Sequence, residues 1–192
     1  NILEKYDPWI DYWVSEEDDG QSHAINEGLE ISTGEIWNWM NSDDFLLPEA
    51  LASISEEFSS FDVLIAGGWF MEESRSRLHH TKNFSCERLI IGRAQTNGCM
   101  FCQQAIWLRT ARVKSCGGID EAIHYAMDRD LYIRYMLEPA RVKYTPNPVA
   151  VFRVHNESKT GQSTHHFLKS HIRVLEKLSH DEKFVDHVEL IR

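Results

Sequence analysis

The stretch Glu35-Ile-Trp-Asn-Trp-Met-Asn-Ser-Asp-Asp44 decides the fold. Its first seven residues are rich in aromatic and apolar side chains and too few for a packed helix, so they read as a buried strand. That strand runs straight into Ser42-Asp43-Asp44, which places two neighbouring carboxylates at its carboxyl end. In open α/β sheets this end faces the crevice where ligands bind. Adjacent side chains in extended backbone point to opposite sides, so the two acids can serve two partners, such as a metal ion and a hydroxyl. The same Asn-Ser-Asp-Asp run is also good turn chemistry, able to cap a helix that begins near Pro48.

Upstream, Ala24, Ile25, Gly28 and Leu29 recur at helical spacing within residues 21–30, and Gly34 follows as a stop signal. Downstream, Pro48 suits a first helical turn, and Leu47, Leu51, Ile54 and Phe58 form the apolar stripe of a second helix. Residues 63–66 are a β-rich run, and Gly67-Gly68 predicts a bend into residues 69–71. Helix, strand, helix, strand is the order of an α/β fold, a parallel or mixed sheet covered by helices.

Residues 72–82, with Arg75, Arg77, His79 and His80, read as a polar loop, and residues 95–108 carry no clear period. Residues 128–138 predict a helix with Leu131, Tyr135 and Met136 facing inward and Pro139 as its stop. Residues 149–154 are a strand, and residues 167–178 an amphipathic helix with Leu168, His171, Leu175 and Leu178 on one face. There is no internal repeat and no long linker, which predicts one domain over residues 1–192 with residues 165–192 as a C-terminal helical extension.

Composition narrows the function. The 192 residues carry 30 acidic and 20 basic side chains, a formal net charge of −10, with 42% hydrophobic and 26% charged residues. These are globular values, and the net charge repels a polyphosphate backbone, which excludes nucleic acid as a partner. The longest apolar run, residues 63–71, is far short of the ~20 residues of a spanning helix. The opening Asn1-Ile-Leu-Glu-Lys-Tyr6 has no initiator Met and no signal-peptide pattern, and reads as cut from a longer chain. Cys99-Met-Phe-Cys102 has a zinc spacing, but Cys86 and Cys116 are isolated singletons, so all four are expected to be reduced, buried thiols.

Three ordered blocks carry a family resemblance. Ser15-Glu-Glu-Asp-Asp-Gly-Gln-Ser-His-Ala-Ile-Asn-Glu-Gly28, Ser32-Thr-Gly-Glu35 and Trp39-Met-Asn-Ser-Asp-Asp44 with Pro48-Glu-Ala-Leu51 form the first. Gly117-Gly-Ile-Asp-Glu121 with Met127-Asp-Arg-Asp-Leu-Tyr-Ile-Arg134 is the second, and Phe152-Arg-Val-His-Asn-Glu-Ser-Lys-Thr160 the third. Together they resemble the family 2 glycosyltransferases of the GT-A fold. The resemblance implies a mixed, mostly parallel sheet flanked by helices, lacking the family's usual first N-terminal strands. Residues 1–12 would then be the end of a helix and the strand after it. The sheet edge left open demands pairing, met by a longer parent chain or by a homo-oligomer.

The implied reaction moves a sugar from a nucleotide-diphosphate donor to a hydroxyl of a saccharide or lipid-linked saccharide acceptor, with inversion. A divalent cation, Mn²⁺ or Mg²⁺, suits oxygen ligands and the leaving diphosphate. The resemblance gives Asp44 the metal and Asp43 the donor ribose or sugar, with those two roles exchangeable, and His155 a place on the metal. Asp128 matches the position of the base, although the acid that commonly precedes it is here Met127. Asp18, Gln21 and Asn26 match the segment bordering the nucleotide, Arg153 and Lys159 can pair with donor phosphates, and Gln104 and Trp107 match the acceptor region. Plain structural roles compete at each: N-capping at Asp128, a helix-to-loop tie at Asn26, core packing at Trp107 and a hydrogen-bonded histidine at His155. The family's setting implies a cytoplasmic protein of polysaccharide biosynthesis, peripheral to the inner membrane. Nucleotidyl transfer to a sugar phosphate, or a non-catalytic binding or assembly domain on the same scaffold, are the competing functions.

Overall fold

The computed structural model describes residues 2–92, 98–155 and 164–191. Helix α1 (Ile2–Tyr6) and a 3-10 turn (Asp7–Trp9) lead to α2 (Gln21–Ile31), β1 (Ile36–Trp37), β2 (Phe45–Leu46) and α3 (Ala50–Phe58). Then follow β3 (Val63–Met71), β4 (Ser76–His80), α4 (Cys86–Ile91), β5 (Ile106–Arg109), α5 (Thr110–Ser115), α6 (Met127–Met136) and β6 (Val142–Arg153). The chain finishes its described part with α7 (Thr164–Ser179), a 3-10 turn (Glu182–His187) and α8 (Val188–Ile191).

Strand β3 is the sheet's axis. One edge pairs antiparallel with β5 at Val63–Ile65 and then with β4 at Gly67–Met71, and the other edge pairs along its length with β6, parallel. Strand β1 extends the sheet beyond β5, and β2 lies antiparallel on β6. The result is the mixed sheet flanked by helices expected from the sequence. The balance of directions is corrected, since among the described residues only the β3–β6 pairing is parallel. The connection between β3 and β4 spans residues 72–75, and so short a link joins antiparallel neighbours only.

That hairpin also replaces the polar loop expected at residues 72–82. Its alternating Ser76-Arg-Leu-His-His80 is too polar to announce a strand, yet β3 offers a free edge that captures it. No bend separates residues 63–66 from 69–71, because β3 is continuous. The glycines instead permit close approach, since a Cβ on Gly67 would stand 3.1 Å from the Pro148 backbone. The β3–β6 register slips there, which accommodates Pro146 and Pro148 inside a strand that begins seven residues earlier than expected. Among the described residues 2–12 there is a helix and a 3-10 turn but no strand. Glu49 adopts a left-handed turn (φ 63°), so α3 starts after Pro48 rather than at it. Ala50, Ile54 and Phe58 are consequently the buried stripe, and Leu51 is 61% exposed.

The sheet separates two apolar layers. On one face α3 packs Ile54 and Phe58 on Leu64, Trp107 and Val149. On the other, Leu131, Tyr132, Ile133 and Tyr135 of α6 meet Leu89 and Ile90 of α4, Ile65 of β3 and Val174 and Leu178 of α7. Full burial of a side chain of this size contributes about 1.5–3 kcal/mol. No described helix is long and apolar enough to cross a membrane.

Candidate functional site

Residues 41–44 form a turn closed by the Asp44 N–H donating to the Asn41 carbonyl (3.1 Å). The turn delivers the chain into β2, and the Phe45–Val151 pairing sets Asp44 beside the end of β6. There Asp44 Oδ1 accepts from the Arg153 backbone N–H (2.9 Å), and Oδ2 accepts from Gln104 Nε2 (2.6 Å) and Asn41 Nδ2 (3.2 Å). Asp44 is buried, and burial, outweighing these hydrogen bonds, pushes its carboxyl above the ordinary range. Its two oxygens are thus committed to protein donors. Asp44, expected on the metal with the roles of the two acids exchangeable, faces inward in this turn.

Asp43 takes the outward position. Its Oδ2 lies 2.8 Å from His155 Nε2, and both side chains are about one-third exposed. The two are far apart in sequence and meet because β2 and the end of β6 are neighbours. A carboxylate and an imidazole sharing an exposed point can offer two donors to a cation. Among the described residues no three His, Cys, Asp or Glu side chains gather to hold an ion alone. Mg²⁺ and Mn²⁺ ordinarily take one or two protein ligands and complete the shell with substrate phosphates and water, so this donor pair fits such a cation arriving with a diphosphate.

The second half of the site lies at the start of α6. Asp128 occupies the first turn, with its Oδ1 accepting from the Arg129 N–H (2.7 Å), and the helix N-terminus favours negative charge there. Arg129 is buried, donates to the carbonyls of Leu89 and Cys99 (3.0 Å each) and stacks over Phe101, which fixes this turn against α4. Asp130 is fully buried against Arg134 (2.6 Å), a structural ion pair that also anchors Lys177 of α7. Asp128 faces a cleft of about 1000 Å³. Gln21, Trp39, Asn41 and Gln104 also line it. A smaller apolar pocket of about 450 Å³ between residues 80–83 and 144–146 contains none of these groups.

The structure does not bring every expected residue to the cleft. Trp107 is buried beneath α3, because its side of β5 faces that layer. Asn26 ties α2 to the loop between α5 and α6, donating to Ile119 O and Glu121 and accepting from the Ile119 N–H. Asp18 accepts from the Gly20 N–H in the turn before α2. Arg153 contributes its backbone N–H to Asp44 while its side chain is exposed. Lys159 lies outside the described residues. Gln21 reaches Asn41 (2.7 Å) and Gln104 reaches Asp44, so both belong to the hydrogen-bonded wall. Sequence reasoning passed over Asn41, although an Asn opening an acidic turn is itself a signal, and Gln103, which donates to Asn38 and to the Trp39 carbonyl.

The sequence profile of glycosyl transferase family 2 matches residues 1–115. An uncharacterized glycosyltransferase of Rickettsia typhi is 25% identical over 156 residues, covering 75% of this chain and 47% of that protein. Another from Rickettsia felis is 23% identical over 178 residues, covering 86% of this chain and 28% of its own. The chain thus spans about half the length of these relatives, or less. Among solved structures, S. aureus TarS 1–349 in complex with UDP-GlcNAc superposes with a TM-score of 0.71 at 17% identity, covering 99% of this chain and 56% of TarS. The same protein in complex with UDP gives 0.66 at 18% identity, covering 99% and 55%. At such identities the likeness is one of fold.

Proposed function

The chain belongs to glycosyl transferase family 2, and from that premise we propose that it takes part in moving a sugar from a nucleotide-diphosphate donor to an acceptor hydroxyl, with inversion at the anomeric carbon. The observation that carries this reading is the division of the site. An outward carboxylate and imidazole, Asp43 and His155, pair beside the turn whose Asn41 lines the cleft that Asp128 enters from the start of α6. Diphosphate departure and hydroxyl deprotonation need separate groups, and the two acids come from separate elements, the turn before β2 and the start of α6.

Asp128 accepts the proton of the acceptor hydroxyl. The acceptor oxygen then forms its bond to the anomeric carbon as the bond to the diphosphate oxygen breaks on the opposite face, and the electron pair leaves with the nucleoside diphosphate. Asp43 and His155 would hold a Mg²⁺ or Mn²⁺ ion, which would supply positive charge to the leaving diphosphate. Asp44 positions its neighbour by anchoring the turn, and Gln104 and Asn41 hold Asp44 in turn. Arg129 keeps the first turn of α6 in place, and hence the Asp128 carboxylate.

The test is UDP binding and UDP-GlcNAc turnover with Mn²⁺ or Mg²⁺. Asp128→Asn should lower turnover by roughly 10²–10⁴-fold with UDP affinity kept, as expected for loss of a general base. Asp43→Asn should remove the stimulation of UDP binding by the cation. Turnover and cation response unchanged in both variants would overturn the assignment.

A further inference from the structure

Helix α6 buries two tyrosines whose hydroxyls have different surroundings. Tyr135 donates to the Asp62 carbonyl (2.7 Å) and accepts from the Arg109 N–H (3.2 Å), tying the helix to the sheet. Tyr132 is fully buried, and its hydroxyl finds no hydrogen-bond partner among the described residues. Burying a phenol oxygen without a partner opposes folding, so a phenylalanine of the same shape would pack at least as well. An unsatisfied group of this kind calls for a cause beyond packing.

Its position supplies one. Tyr132 stands four residues after Asp128, hence on the same face of α6, and long helical side chains lean back over the preceding turn. That direction takes the hydroxyl toward the turn that carries Asp128. The ring is enclosed by Trp39, Phe84 and Phe101, with centroids 6.4, 5.3 and 5.1 Å away. Trp39 and Phe101 line the cleft that Asp128 faces, so Tyr132 lies directly behind that lining. Burial above all, with Asp128 and Cys102 adding to it, pushes the phenol well above its ordinary range, which keeps it a neutral O–H donor. Asp128 Oδ1 accepts from the N–H of its immediate neighbour Arg129 (2.7 Å), a local bond that a carboxylate turning toward a substrate hydroxyl gives up.

We infer that Tyr132 is a positioning residue for the base: as Asp128 turns from the Arg129 N–H toward the acceptor hydroxyl, the Tyr132 hydroxyl donates to its carboxylate. The bond holds one oxygen and leaves the other aimed at the proton it removes. The phenol keeps its own proton throughout. The inference rests on the reading of Asp128 as the base. Arg129, the cation beside it, already donates to the Leu89 and Cys99 carbonyls. His124, Tyr125 and Cys102 are the other titratable groups on this stretch of lining, and the substitutions below leave them in place.

Tyr132→Phe and Tyr135→Phe separate this role from packing, because each removes one hydroxyl and keeps its ring. UDP release from UDP-GlcNAc, with Mn²⁺ present and water as the acceptor, is followed across pH, with urea unfolding alongside. Tyr132→Phe should lower kcat about 10- to 100-fold with the KM for UDP-GlcNAc kept, as loss of one hydrogen bond to a charged group requires. Such a bond favours the carboxylate form, so its loss should move the acid limb of the kcat profile to higher pH. The urea midpoint should hold or rise. Tyr135→Phe should do the reverse, lowering the midpoint and leaving kcat and the acid limb unchanged. Wild-type kcat and acid limb in Tyr132→Phe overturn the inference. So does a midpoint loss as large as that of Tyr135→Phe, since the hydroxyl would then be a structural group. If Asp128→Asn retains turnover, the assignment of the base falls and takes this inference with it. If Asp128→Asn loses turnover and Tyr132→Phe keeps it, this inference falls alone.

Discussion

At the scale of single residues, Asp43 and Asp44 are chemically identical neighbours with different work. Asp44 accepts three hydrogen bonds in a buried setting, so Asp44→Ala strands the Arg153 N–H and the Gln104 amide. Each buried donor left unpaired costs about 1–3 kcal/mol, and the variant should lose on the order of 3 kcal/mol in urea unfolding. Asp43→Ala removes a half-exposed pairing with His155 and should change stability by under about 1 kcal/mol, while abolishing the cation dependence of UDP binding. Equal stability losses in the two variants would refute this division. The sequence made the acidic pair visible but not which of the two is buried, for a physical reason. Strand alternation applies to extended backbone, whereas residues 41–44 are a turn, and the burial of Asp44 depends on β6, more than a hundred residues downstream. Trp107 takes the core-packing alternative left open for it, and a four-residue strand shows too little alternation to reveal which face its tryptophan takes.

At the scale of elements, those whose apolar residues recur over several turns were legible, as at α2, α3, α6 and α7. Elements made by pairing were not. Strand β4 exists because β3 has a free edge, and β1 and β2 are two residues each, defined by their partners. Packing between elements yields a prediction at the α4–α7 contact. Gly92 ends α4 with φ 79°, and a Cβ there would stand 2.7 Å from His171 Nε2. Gly92→Ala combines backbone strain with loss of the His171 bond to Ile90 O and should cost about 1–3 kcal/mol, with α7 amides losing hydrogen-exchange protection ahead of α6. The same contact is acid-sensitive. Burial, with the nearby Arg129 charge, lowers the His171 pKa to about 4. The folded state therefore favours the neutral ring, and its contribution, present above an unfolded value of ~6.5, is lost as pH falls from there toward about 4. Exchange protection of α7 should decline across that interval. Protection independent of pH would show that His171 does not hold the helix.

At the scale of the whole molecule, the α/β class and the mixed sheet follow from the alternation of helical and extended periods, and the net charge of −10 opposes polyanionic partners. The core adds a constraint on the alkaline side that composition does not reveal. Burial pushes Cys86 and Cys102 to about 12, Cys99 to about 11 and Tyr135 to about 12. In the unfolded chain a thiol titrates near ~8.5 and a tyrosine near ~10. Each neutral thiol accordingly contributes stability that is fully present below ~8.5 and is lost as pH rises through its folded value, at up to ~1.4 kcal/mol per pH unit for each group. Stability should then be level between about pH 7 and 8 and fall with a slope of several protons above about pH 9. Cys102→Ala should reduce that slope by about one proton, whatever it does to stability at pH 7. Iodoacetamide offers an independent reading, since it attacks thiolates. At pH 8.5 the folded chain should label far more slowly than free cysteine, with all four thiols reacting in denaturant. Labelling of the folded chain at the rate of free cysteine would mean that the thiols are not held neutral in the core, and the alkaline slope would lose its cause.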